Sequence, residues 1–227
     1  MKWAILILVI LFSLSTLDAQ VREKFKGEYK GKEKKEETTQ TEEKKAEQPA
    51  TTKSETSGIV IFSDNFTGYN EGETPSKWEV EIGSAEVVTY KGKRWMKIFS
   101  SEFKAKPAIE TLPQNYRLEF DVILGYSTVT ILFATAYGKE LNQVEIEYHR
   151  VKSERVSTSL NLDINATNKV IIEVKGNSLK CLINGKTAIL EARAFDEPAN
   201  IIKVITRYSS LDRPVYISNF AIYDLTK

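Results

Sequence analysis

Glu119 and Asp121 stand two residues apart in the run Glu119-Phe120-Asp121-Val122-Ile123-Leu124, a spacing that puts both carboxylates on one face of an extended chain. Two carboxyl groups about 5 to 5.5 Å apart can cleave a glycosidic bond with retention, one protonating the leaving oxygen while the other attacks the anomeric carbon. A second polar stripe, Gln143, Glu145, Glu147 and His149, presents two more acids and the only histidine of the chain. If the two strands pair, Glu119, Asp121, Glu145 and Glu147 share a patch able to do acid/base work. If they do not, each stripe is the solvated side of an amphipathic strand, which alternation alone explains.

Recognition of a polyhydroxylated ligand needs exposed aromatic faces beside amides and carboxylates. Tyr126, in Gly125-Tyr126-Ser127, and Tyr137, before Gly138, fall where loop tips present side chains to solvent. Asn142 and Gln143 are the polar partners expected near Tyr137. With Glu145, Glu147 and His149 they complete the expected ligand-binding set. Trp78 and Trp95 fall on strands with other large apolar residues and are expected in the core, and Tyr148, in phase with Val144 and Ile146, is expected to point inward. Cys181, the single cysteine, lies between Leu179 and Ile183 and reads as a buried apolar residue without a disulfide partner.

Other chemistries find no support in the residues. There is no nucleotide-binding glycine loop, paired-cysteine metal motif, compact Asp/Asn-rich calcium loop or serine nucleophile elbow, so neither metal nor cofactor is expected. With 32 Lys and Arg against 31 Asp and Glu, the charge balance makes no case for nucleic acid.

The elements that must position these side chains are strands. Period-2 alternation recurs in Trp78, Val80, Ile82; in Leu118, Phe120, Val122; in Val144, Ile146; in Val170, Ile172, Val174; and again from Tyr216 to Ile222. Turn residues punctuate the runs at Lys91-Gly92, Gly125, Gly138, Gly176-Asn177 and above all Asn184-Gly185, which suits a type I′ hairpin. The pattern predicts an all-β fold, a two-sheet antiparallel jelly-roll sandwich over residues 58–227, with a short helix or irregular crossover from Glu191 to Asn200. Ahead of it, Lys2 and the apolar run Trp3 to Leu17 predict a signal peptide over 1–19, cut after Ala19, because the run is shorter than the roughly 20 residues of a spanning helix. Residues 20–57, rich in Lys, Glu, Thr and Gln, predict a disordered charged linker that cannot offset its ordering entropy.

Several segments carry a family resemblance. Phe62-Ser63-Asp64-Asn65-Phe66-Thr67-Gly68, Gly72-Glu73-Thr74-Pro75-Ser76-Lys77-Trp78, Arg117 to Val122, Asn177 to Lys186 and Val215 to Phe220 together resemble concanavalin A-like lectin/glucanase (LamG-like) domains of exported bacterial proteins. The resemblance implies a curved sandwich whose relatives hold sugars, bind proteins or have no known ligand. Hydrolases in that family carry Glu-x-Asp-x-x-Glu on the active strand, and Leu124 stands where the acid/base carboxylate belongs. The resemblance and the missing acid together imply an exported, non-catalytic module at or outside the cell envelope, secreted or periplasmic. Its partner would be a polysaccharide or surface glycan, with membrane contact only through an uncleaved leader. The alternatives are a glycoside hydrolase-like enzyme with a rearranged pair drawn from Glu119, Asp121, Glu145 and Glu147, and a protein-binding structural or adhesive module.

Overall fold

The computed structural model describes residues 58–226; the expected leader and the expected linker lie outside them. Every described element is a strand. In chain order these are β1 (Ile59–Asp64), β2 (Trp78–Ile82), β3 (Ala85–Tyr90), β4 (Lys93–Ile98), β5 (Glu102–Pro107), β6 (Asn115–Ile123), β7 (Thr128–Ala134) and β8 (Glu140–Glu147). They continue as β9 (Arg150–Lys152), β10 (Ser157–Ser159), β11 (Asn168–Lys175), β12 (Ser178–Ile183), β13 (Lys186–Glu191), β14 (Ile201–Arg207) and β15 (Val215–Asp224). They form two antiparallel sheets. The first runs β13-β12-β11-β6-β15-β4-β3, with β1 also paired to β15; the second runs β10-β9-β8-β7-β14-β5-β2.

Alternation decides which side of each strand enters the core. On β6, Tyr116, Leu118, Phe120 and Val122 are buried in the core cluster, so Arg117, Glu119 and Asp121 face outward from the first sheet. On β8, Val144 and Ile146 enter the same core and leave Gln143, Glu145 and Glu147 on the outside of the second. An aromatic knot fastens the sheets at one margin. Trp78 on β2 meets Phe220 on β15 at 4.7 Å and Phe62 on β1 at 5.8 Å, both edge to face.

The acid that ends β1 organises the loop beyond it. Asp64 is buried and accepts from Phe66 N at 3.0 Å, Tyr69 Oη at 3.1 Å and Trp78 Nε1 at 3.2 Å. It thereby holds Phe66 in a left-handed conformation with its ring in the core. The hairpin turns form at the expected residues: Lys91-Gly92 and Asn184-Gly185 both have positive φ at both positions. The segment after β13 is an irregular crossover without a helix, anchored by Phe195 against Phe133 at 5.3 Å.

The two lateral margins differ. On one, β13 and β10 close the sandwich through Thr158 Oγ1, which donates to Ala188 O, and Ser153 Oγ, which donates to Glu191 at 2.8 Å. On the other, β15 changes neighbours along its length: residues 215–217 pair with β4 and 220–224 with β1. Between them a register shift from Ser218 to Ala221 carries Asn219 in a left-handed conformation.

Candidate functional site

The four acids that strand pairing could have gathered into one patch do not meet. β6 lies between β11 and β15 in the first sheet, while β8 lies between β7 and β9 in the second. Glu119 and Asp121 therefore look out from one side of the sandwich and Glu145 and Glu147 from the other. The cause is the connection Gly125-Tyr126-Ser127, which crosses between sheets where a hairpin would have kept β6 and β7 as neighbours.

Each half of the dispersed cluster is tied up by cations. Glu119 Oε1 lies 2.6 Å from Arg117 Nη2 and its Oε2 3.0 Å from Lys169 Nζ. Asp121 accepts from Asn219 Nδ2 at 2.6 Å, with Lys169 at 4.0 Å. Farther along the strand, Ile123 is buried on the outer face and Leu124 is fully buried in the core, so no third acid joins this row. On the opposite sheet, Glu145 takes Lys152 at 3.0 Å and Gln143 Nε2 at 2.7 Å. Glu147 accepts a two-pronged contact from Arg150 at 3.0 Å for each bond, and lies 3.3 Å from His149 Nε2. The hydrogen bond and charge of Glu147 raise the Arg150 pKa above its usual value.

The expected ligand-binding residues divide. Asn142 is buried and consumed by the fold: its amide donates to Ala194 O at 3.0 Å, and its oxygen accepts from Gln143 N and Glu154 N at 2.7 and 3.3 Å. It is a structural residue, because its place on β8 is in phase with Val144 and Ile146. Tyr126 and Tyr137 are both exposed, Tyr137 almost fully. They sit at opposite ends of β7, about 20 Å apart for a strand of this length, so they cannot line one small site.

The surroundings of Tyr126 are only half visible in the sequence. Tyr148, expected inward, is 41% exposed, because β8 ends at Glu147 and Tyr148 and His149 form the turn into β9. The rings of Tyr126 and Tyr148 meet edge to face at 6.0 Å. His149 packs on Tyr148 at 4.7 Å, and the Arg213 guanidinium lies 5.5 Å over Tyr126. Leu160 N and Leu162 N donate to the carbonyls of His149 and Tyr148 at 3.0 and 2.7 Å, which fixes the turn from behind. Three connections thus supply an aromatic end to the sandwich, bordered by Glu147 and Arg150.

Of the two tryptophans expected in the core, Trp78 is there. Trp95 is buried by a different route, since it is out of phase with the core-facing Met96 and Ile98. It lies on the outer face of the first sheet, its indole donating to Tyr90 O at 2.9 Å, beside Tyr216, which stacks on Tyr90 at 4.4 Å. Cys181 is fully buried, and burial pushes its thiol up to about 12.

No protein-family model matches the sequence, and no curated protein does. Solved structures share the fold. A sialidase is similar with a TM-score of 0.57 at 14% identity over 74% of this chain, which spans only 19% of the sialidase's own length. Domain 4 of AbnA, a GH43 extracellular arabinanase from Geobacillus stearothermophilus in complex with arabinotriose, gives a TM-score of 0.50 at 11% identity, covering 74% of this chain and 93% of that one. A Bacillus subtilis protein of unknown function with a galectin-like fold gives 0.50 at 12% identity, covering 74% and 96%. At these identities the likeness is one of fold.

Proposed function

We propose that the domain is a non-catalytic glycan-binding module, and that Tyr126, Tyr148 and His149 form its sugar platform with Glu147, Arg150 and Arg213 at the margin. The observation that carries this reading is the pair of solvent-facing tyrosine rings held at a fixed mutual angle beside charged hydrogen-bonding groups. A sugar ring offers an apolar C–H face to an aromatic plane and hydroxyls at its rim to donors and acceptors. A platform built in advance spares the ligand the ordering of loose side chains. The fold is one that the arabinotriose-bound arabinanase domain also has, which supports the sugar reading by analogy only. The concanavalin A-like assignment and export to the cell envelope belong to the same proposal.

The neutralised acids argue for binding over hydrolysis. Glu119 and Asp121 are each held by a cation or an amide, and the other two acids are on the far side of the molecule. A glycan-binding screen on the full chain tests the proposal. Tyr126→Ala and Tyr148→Ala should each weaken binding of the best neutral ligand by about tenfold, equivalent to about 1.4 kcal/mol. Retained affinity in both variants, or glycan cleavage lost in Glu119→Gln, would reject it.

A further inference from the structure

A second concavity lies on the outer face of the first sheet, away from the aromatic end. It has a volume of about 370 Å³, within the range of small-molecule sites of about 300 to 1,000 Å³. Its floor is one cross-strand row, Ser63 on β1, Ala221 on β15 and Glu119 on β6, directly paired in register. The methyl group of Ala221 between two longer side chains makes the depression. The register shift just before it swings Asn219 onto the rim, and Lys169 and Lys77 stand on the lining as well.

The charged groups of this lining differ in how much hydrogen-bonding capacity they have left. Its acids are already engaged: Asp64 accepts from three donors, and Glu119 is held by Arg117 and Lys169. Lys77 is different. Its ammonium donates to the Ser63 carbonyl at 3.1 Å, and among the described residues no carboxylate lies within ion-pairing distance of it. An ammonium has three protons to donate, so two remain for solvent or for a ligand in the cleft. Ser63 adds a hydroxyl, and Asn219, whose Nδ2 already donates to Asp121 at 2.6 Å, adds its amide oxygen. A ligand that satisfies this set carries hydroxyls together with one anionic group, placed at Lys77.

We propose that the cleft binds an acidic sugar of the hexuronate class, its carboxylate paired with Lys77 and its hydroxyls on Ser63, Asn219 and the Glu119–Lys169 pair. The idea rests on the reading of the domain as a glycan binder but uses a different surface, and the two can fail separately. Methyl β-D-glucuronide and methyl β-D-glucoside, which differ only at C6, carboxylate against hydroxymethyl, are titrated into the full isotope-labelled chain and followed by amide chemical shifts. The glucuronide should shift the amides of Ser63, Lys77 and Asn219 and bind at least about tenfold more tightly than the glucoside, as for one charge-assisted hydrogen bond. Lys77→Ala should abolish that preference and Lys77→Arg should keep most of it. Ala221→Leu, which fills the floor, should remove binding, while Tyr126→Ala leaves it unchanged; melting temperatures of all variants report whether the fold is intact. Equal affinity for the two glycosides, no binding of the glucuronide, shifts confined to the Tyr126 end, or indifference to Lys77→Ala or Ala221→Leu in a folded protein would each overturn the proposal. Glucuronide binding here with no neutral-glycan binding at Tyr126 would leave this site standing and remove the platform.

Discussion

Glu119 shows how a side chain with the chemistry of a catalyst can be spent on structure. It is nearly buried between Arg117 and Lys169, and removing the acid of a mostly buried ion pair withdraws its charge from both cations. Glu119→Gln should therefore destabilise the domain by about 2 to 4 kcal/mol, measured by denaturant unfolding. A working catalytic acid would behave in the opposite way, since replacing strained active-site residues commonly stabilises a protein. Cys181 makes a second residue-scale prediction. Its thiol is raised from 9.0 to about 12 by burial, so the unfolded chain loses this proton first as pH rises. The contribution is fully present below about pH 9 and declines as pH climbs toward about 12. Cys181→Ala should flatten that alkaline loss of stability, and in the native wild type the thiol should resist alkylation at about pH 8.

At the scale of elements, the β12–β13 hairpin depends on more than its turn type. Asn184 has φ of 52°, and its side chain both accepts from Lys169 N at 2.8 Å and donates to Asn168 Oδ1 at 2.9 Å. It ties the hairpin to the start of β11. Asn184→Gly keeps the conformation and loses the hydrogen bonds, at about 1 kcal/mol. Asn184→Val loses both and should cost at least about 2 kcal/mol. Equal effects of the two would mean that the left-handed backbone contributes nothing. Gly83 is a sharper case: at φ 80° an added Cβ would come within 2.4 Å of the Glu102 carbonyl. Gly83→Ala should lower the melting temperature more than the conformational penalty of about 1 kcal/mol alone predicts.

For the whole molecule, the pairing of β1 with β15 sets the folding problem. Ile59 faces Asp224, so the first and last described strands are neighbours, and β15 also pairs with β6 and β4. Contacts this distant in sequence carry a loop-closure penalty before they are rewarded, and all-β domains of such topology fold in milliseconds to seconds. Truncation before Val215 should abolish cooperative unfolding altogether, because it removes a strand with three partners. In native-state hydrogen exchange the amides of β6, β11 and β15 should be the slowest. Those of β10, a three-residue strand paired only with β9, should exchange first.

Local patterns in the chain sufficed for the all-β class, the inward and outward faces of most strands, the type I′ hairpin at Asn184-Gly185 and the turn at Lys91-Gly92, because alternation and turn chemistry are properties of neighbouring residues. Where a strand stopped early the same rule misled: Tyr148 has the phase of Val144 and Ile146 but sits in a turn. Apolar neighbours alone also could not separate a core tryptophan from Trp95, which is buried on an outer face by rings from other strands. Above all, alternation records that Glu119 and Glu145 point out of a sheet and is silent on which sheet. That is fixed by long-range strand pairing, whose energy lies in contacts no local pattern encodes. It took the folded molecule to place these acids on opposite sides, to assemble the aromatic end from three connections, and to open a cleft over Ala221.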